Sequence, residues 1–239
     1  MSSSRQRAVR RSVGAAVGAA LSFGVALSVG LVPALPAHAQ AGSPADSQVV
    51  TMSTANVPQN SKQAALYTVM RSLWEQHMEW THATVDAFAD GSGSTMPFLH
   101  RLLQDQADIG NAIKPFYGDQ AGDRLTALLK QHILDAVPVL EDAKAGDQAA
   151  LQAAVAAWYA NAKEIADFLA AANPYWSRTD LEAMMQTHIT QTIDYSVDAL
   201  KGDWTANIEQ YDQAEAHMMQ MADMLSRGIV LQFPKKVEN

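Results

Sequence analysis

Three histidines occupy matching places in a sequence that nearly repeats itself. His77 follows Gln76, His132 follows Gln131, and His188 lies 56 positions beyond His132. Imidazole can donate a proton, accept one or ligate a metal near neutral pH, so its placement is where chemistry is sought first. Each histidine falls on a helical stripe filled mostly by Leu, Met, Ala, Val and aromatic residues. The stripes are 66, 70, 73, 77, 80, 84 and 88, then 125, 129, 132, 136 and 140, then 181, 185, 188, 192, 195 and 199. That periodicity predicts three histidines on, or beside, buried helix faces. Glu215 falls on a further stripe, 204, 208, 211, 215, 218, 222 and 225, where the previous repeat has Tyr159. A carboxylate on a buried face needs a partner, because isolated burial is costly. Helical bundles build metal sites from inward His and Glu on facing helices. The expected set is therefore His77, His132 and His188, with Glu215 as the acidic member. A transition-metal ion (copper, zinc or iron) suits imidazole, and a small molecule is the other ligand the set could take. The competing expectation is that duplication copied three structural histidines.

Other residues invite narrower readings. Glu79 and His82 have the Glu-x-x-His spacing of carboxylate-bridged di-iron bundles, but those sites need two such pairs and the chain has one. The run from His217 to Met224 is the densest in methionine, with Met184 and Met185 on the preceding helix. Thioether plus imidazole suits Cu(I), while core filling is the better account of methionine at helical spacing. Trp158 and Trp204 fall on core stripes and Trp176 in a connection, which reads as packing. The chain has no Gly-rich phosphate loop, Gly-x-Ser-x-Gly elbow or His-Glu-x-x-His motif, so no catalytic residue is singled out.

The elements that must position these residues follow from the repeat. With an offset of 56, residues 125–169 and 181–225 share 13 of 45 identities, where an Ala-rich composition would give about 3 or 4 by chance. A third copy lies upstream at offset 55, pairing Gln76-His77 with Gln131-His132 and Gly91 with Gly146. The expected fold is all-α: a six-helix up-and-down bundle built from three repeated helical hairpins. Helix 1 should run from Ser61 to about Ala89. Helix 2 should open around Pro97 and end before Pro115. Helix 3 should begin near Asp123, carry Pro138 inside it and end at Gly146. Helix 4 should be capped by Asp147 and stopped at Asn173-Pro174, and helix 5 should start after Ser177. Helix 6 should be capped by Asp203 and end at Arg227-Gly228, with the apolar segment 229–234 packing back.

The N-terminus reads as a targeting segment. Arg5, Arg7, Arg10 and Arg11 precede an apolar stretch that Pro33 and Pro36 break, and Ala37-His38-Ala39 is a small-x-small cleavage pattern. Residues 1–39 are expected to be a signal peptide, 40–60 a flexible linker and 61–239 the helical bundle domain. The retained-anchor alternative is less consistent with those helix breakers. Removing 1–39 takes 4 of 17 basic and none of 25 acidic residues, moving the net charge from −8 to −12. Such acidity argues against nucleic acid, whose binding needs clustered Lys and Arg, and against an anionic membrane surface; once the signal is cleaved, no stable membrane insertion is expected. With no cysteine, the exported chain has neither disulfides nor thiolate sites and must be held by its core.

Leu73-Trp74-Glu75-Gln76-His77, Asn173-Pro174-Tyr175-Trp176, and Gly228-Ile229 followed by Gln232-Phe233-Pro234 resemble motifs of an uncharacterised family of small bacterial all-helical proteins. The resemblance spans about residues 65 to 235. It implies that the family's motif histidines correspond to His77, His132 and His188, and an acidic residue to Asp212. Enzyme names carried by some members, glycosyltransferase among them, disagree with one another, and no motif of this chain supports them. The leading expectation is an exported bundle, periplasmic or secreted, that binds a metal ion or small ligand through core histidines. The rivals are a periplasmic scaffold or stress protein with purely structural histidines, and a metal-dependent enzyme.

Overall fold

The computed structural model describes residues 61–238, and all regular structure there is helical. The expected signal peptide and linker lie outside these residues. Six helices follow one another: α1 Ser61–Ala89, α2 Thr95–Tyr117, α3 Asp119–Ala145, α4 Gln148–Ala172, α5 Arg178–Lys201 and α6 Trp204–Gln232. A short 3-10 turn, Pro234–Lys236, ends the chain. Among the described residues no helix is long and apolar enough to cross a membrane.

The boundaries follow from local chemistry. Asp147 and Asp203 each accept a hydrogen bond from the backbone N–H three residues on, at 3.1 Å, and Ser177 does the same for Asp180 at 3.3 Å. Each cap satisfies one of the N–H groups that a helix start leaves open. Gly146 and Gly202 close α3 and α5 in the left-handed region, with φ of 72° and 75°. The following residue's N–H then reaches back to Asp142 O and Asp198 O, at 3.0 and 2.9 Å. Gly91, with φ 69°, ends α1 in the same way, Ser92 N–H reaching Ala87 O at 2.8 Å.

Two boundaries differ from the sequence expectation. Helix α2 continues through Pro115 to Tyr117 and α3 starts at Asp119, a single residue later. Proline removes one N–H but does not end the turn, because Phe116 and Tyr117 are held by rings of the C-terminal segment. Phe233 lies 5.8 Å from Phe116 and 5.1 Å from Tyr117. Helix α6 runs through Gly228 to Gln232. Gly228 is there for space: a Cβ at this position would collide with the indole of Trp176.

Each helix packs on its neighbours in sequence, and α6 also packs on α1. Arg71 of α1 grips Asp223 of α6 through two hydrogen bonds of 2.7 and 2.6 Å. His82 of α1 meets Asn207 of α6 at 2.8 Å, so these two helices run antiparallel. The C-terminal ends of α2, α4 and α6 are tied together. Tyr117 Oη donates to Gln232 Oε1 at 2.9 Å, Asn173 Nδ2 donates to Tyr117 Oη at 2.8 Å, and Gln232 Nε2 donates to Ala172 O at 3.1 Å. Lys144 of α3 donates to Phe88 O and Ala89 O at the end of α1. Helix α5 additionally touches α1 and α3, and Leu181, Met185, Ile189 and Tyr195 on it are almost fully buried. The core continues through Met70, Trp74, Ile109, Leu129, Ile165, Met218 and Ile229. Met218 and Met221 are buried among these, which is the packing role for the methionine-rich run. Trp158 is buried as expected, whereas Trp204 is 38% exposed, because it is the first residue of α6 and projects beyond its neighbours.

Candidate functional site

The chain brings together three residues far apart in sequence. His77 of α1, His132 of α3 and His188 of α5 are 2%, 2% and 3% exposed. The His188 ring lies 5.7 Å from that of His77 and 5.8 Å from that of His132, nearly parallel to the latter at 29°. Helical periodicity predicted that each would face inward; their meeting depends on α5 touching both α1 and α3.

Each histidine has a polar residue 29 positions later, on the next helix along the chain: Gln106, Asn161 and His217. Gln106 Nε2 lies 3.1 Å from His77 Nδ1, which therefore accepts. Asn161 Nδ2 donates to Leu128 O at 3.3 Å, which turns Asn161 Oδ1 towards His132 Nδ1 at 2.9 Å. His132 thus carries its proton on Nδ1 and an open lone pair on Nε2. On α6, His217 Nε2 instead donates to Met184 O of α5 at 3.0 Å, four residues before His188. His132 Nε2 and His188 Nδ1 are both buried without a hydrogen-bond partner in the protein. Buried polar atoms are seldom left so, and each costs about 1–3 kcal/mol. Gln106 and Asn161 were not singled out from the sequence, and His217 was noted only as part of the methionine-rich run. The signal was available, because Gln106, Asn161 and His217 recur at the repeat's own offsets of 55 and 56.

The histidines head a cavity of about 130 Å³. Its wall is mainly aliphatic, with Leu99, Leu102, Leu140, Leu151, Val155 and Leu200, and Trp158 lies beside His132 at 5.3 Å. Thr84, Thr192 and Ser196 also line it, but their hydroxyls donate to Trp80 O, His188 O and Thr192 O in their own helices. Burial lowers the His77 pKa to about 3, helped by the nearby His132, and lowers that of His132 to about 4. His188 falls well below its ordinary value through burial and then the neighbouring His77, His132 and His217. All three are therefore neutral at neutral pH, the form that accepts hydrogen bonds or ligates metals. Behind His77, Asp105 is fully buried, its Oδ2 accepts from Gln106 Nε2 at 3.3 Å, and burial pushes its pKa up to about 7.

The acidic members expected of this site stand elsewhere. Glu215 is half-buried rather than buried and Asp212 is exposed. Both line a surface groove between α1 and α6 with Thr68, Arg71, Ser72 and Glu75. The buried face of α6 is set by Ala214, Met218, Met221, Ala222 and Leu225, which leaves Glu215 one position off that face. Its pKa is raised by partial burial and by Glu75, Asp212 and Glu79. The Glu79-His82 pair does not join the histidine cluster either. His82 stacks on Tyr211 at 4.2 Å and bonds Asn207.

Among the described residues no group of three or more His, Asp or Glu is arranged to hold a metal ion. Nδ1 of His77 and of His132 are engaged by amides, His132 and His188 present ring faces to each other, and neither expected carboxylate is among them. The chain matches no family model, and no curated protein or solved structure matches it either.

Proposed function

We propose that this is an exported, non-catalytic binding protein: an up-and-down bundle of three repeated hairpins that holds a small molecule in the cavity headed by His77, His132 and His188. The observation that carries this reading is an apolar cavity of about 130 Å³ lined by three buried histidines from three helices, with no Asp, Glu, Lys or Arg in its wall. The repeated-hairpin reading is supported by the recurring left-handed glycine at Gly91, Gly146 and Gly202, and by the constant spacing from each histidine to its polar neighbour. The metal-ion and metal-enzyme readings share the same three imidazoles, but no carboxylate completes a ligand set. A scaffold would present an exposed apolar patch to its partner; in the apolar segment 229–234, Ile229 is fully buried and Leu231 is the one large exposed apolar residue.

The deciding experiment is native mass spectrometry and elemental analysis of the untagged protein purified from its export route. It is run beside a His77/His132/His188 triple alanine variant and a Leu140→Phe variant that fills the cavity. A bound organic mass lost in both variants is the expected result. Stoichiometric metal lost only in the triple variant would replace the small molecule with a metal ion. A protein empty of both, with no thermal shift on screening small apolar compounds, would make the histidines structural.

A further inference from the structure

The histidine-headed cavity has two unlike ends. Its inner end is closed by His77, His132, His188 and Trp158, all almost fully buried. Its outer end is lined by Leu140, Leu151, Val197 and Leu200, which are half-buried. These stand near the end of α3, in the first turn of α4 and near the end of α5. The approach from that end of the bundle, where Gly146 and Gly202 make their turns, is therefore flanked by aliphatic side chains. In volume, about 130 Å³, the cavity is close to an engineered apolar one, about 150 Å³, that stays dry and binds benzene. Protein cores hold few voids larger than a water molecule, so a space of this size suits a guest rather than ordinary packing.

What the wall offers that guest is almost wholly carbon, because its polar groups are largely engaged or closed off. Thr81, Thr84, Thr192 and Ser196 donate their hydroxyls to His77 O, Trp80 O, His188 O and Thr192 O. His77 Nδ1 accepts from Gln106, and His132 Nδ1 meets Asn161. His132 Nε2, His188 Nδ1 and Trp158 Nε1 are closed off even from water, so they do not reach the cavity surface. No Asp, Glu, Lys or Arg lines the wall, and burial keeps its three histidines neutral. A charged guest would give up its hydration with nothing to balance it. A neutral guest with a hydroxyl or amine would bury that group without a partner. A hydrocarbon surrenders no hydrogen bond on entry and gains dispersion contacts with the aliphatic wall.

Resting on the small-molecule reading of the same cavity, we propose that its ligand is wholly apolar: a hydrocarbon of about benzene's size, bearing no hydrogen-bonding group. The histidine rings close the inner end as walls and make no hydrogen bond to the ligand. Selectivity comes from exclusion, since polar molecules of the same shape would be left unpaired inside.

The test is isothermal titration of the purified protein, at neutral pH, with benzene, toluene and phenol. Benzene and toluene are expected to bind, and phenol about tenfold or more weakly, because its hydroxyl finds no partner. In Leu140→Phe, which fills the cavity from α3, binding of all three is lost. If that variant fails to fold, Ala143→Leu serves instead, because Ala143 is a half-buried residue of the same wall and a larger side chain there should weaken benzene and toluene binding. Phenol binding as tightly as benzene overturns the apolar class but leaves the cavity as a small-molecule site. Benzene binding undiminished in a folded cavity-filling variant overturns the proposed location. Absence of binding by all three compounds, with unchanged melting of the parent protein in their presence, overturns the hydrocarbon class. The small-molecule reading falls with it only if the purified protein also carries no bound organic mass.

Discussion

Neutral imidazoles at the centre of the molecule impose a pH dependence whose sign is fixed. In the fold the pKa values of His77 and His132 are about 3 and 4, and that of His188 is likewise depressed, whereas an unfolded chain keeps them near 6.5. Between those limits the unfolded chain binds more protons. Stability is therefore complete above 6.5 and is lost as the pH falls through the window. Each histidine contributes a slope of about 1.4 kcal/mol per pH unit there. Urea unfolding followed across that range should show the decline, and His132→Asn should flatten it; an equally steep curve in the variant would contradict neutral burial. Asp105 works in the opposite sense, since its pKa rises to about 7 in the fold. Its burden builds between 3.8 and about 7, where the unfolded chain ionises while the buried carboxyl stays protonated, and is complete above neutrality. Asp105→Asn should therefore stabilise the protein more in mildly alkaline than in mildly acidic buffer, and thermal melts at the two pH values measure this. Of these residues the histidines were legible from periodicity, which gives the buried face of one helix. Asp105 and Gln106 were not, because their importance comes from the neighbouring helix.

Helix punctuation was the most legible feature of the sequence. Asp147, Ser177 and Asp203 cap the helices expected of them, and Gly146 and Gly202 end the preceding helices. The errors came from treating every glycine and proline as a stop. Pro115 and Gly228 lie inside helices because their surroundings, not their backbone preferences, decide the outcome. Gly228 allows α6 to pass directly over Trp176, which hangs from the turn between α4 and α5. Gly228→Ala should cost about 1–3 kcal/mol through overpacking, although alanine is the better helix former. A melting temperature at or above that of the parent would show that the indole moves aside freely. Glu215 was misplaced by a related shortfall. The first half of the stripe used for α6, from Trp204 through Ile208 and Tyr211 to Glu215, runs beside the buried face, which there passes through Asn207 and Ala214; only from Met218 on do the two coincide.

Across the whole molecule, the six-helix class was readable but the meeting of the histidines was not. Periodicity assigns a face to each helix and says nothing about which helices share an interior. That arrangement depends on α5 reaching both α1 and α3, and on α6 packing against α1. The α1–α6 seam joins helices at opposite ends of the described chain, whereas the other extensive contacts join helices linked by short connections. Forming it carries the largest loop-closure cost, so it is expected to form late in folding. Arg71 and Asp223 clasp the seam through two hydrogen bonds at a partly exposed position. Asp223→Ala removes about 1 kcal/mol there. Stopped-flow measurements should show unfolding about fivefold faster with folding nearly unchanged. Slower folding instead would place the seam in the early nucleus.

The same seam bears on connectivity. Arg71 lies in the first half of α1 and Asp223 in the last third of α6, so the start of one helix runs beside the finish of the other. The six helices therefore close into a circuit in which no helix is structurally first. The point where the described chain enters and leaves is one junction among several, comparable to the tight turns at Gly146 and Gly202. What the circuit requires is that α1, α3 and α5 keep their histidines turned to the same interior; the order in which the chain visits them is incidental to the chamber they enclose.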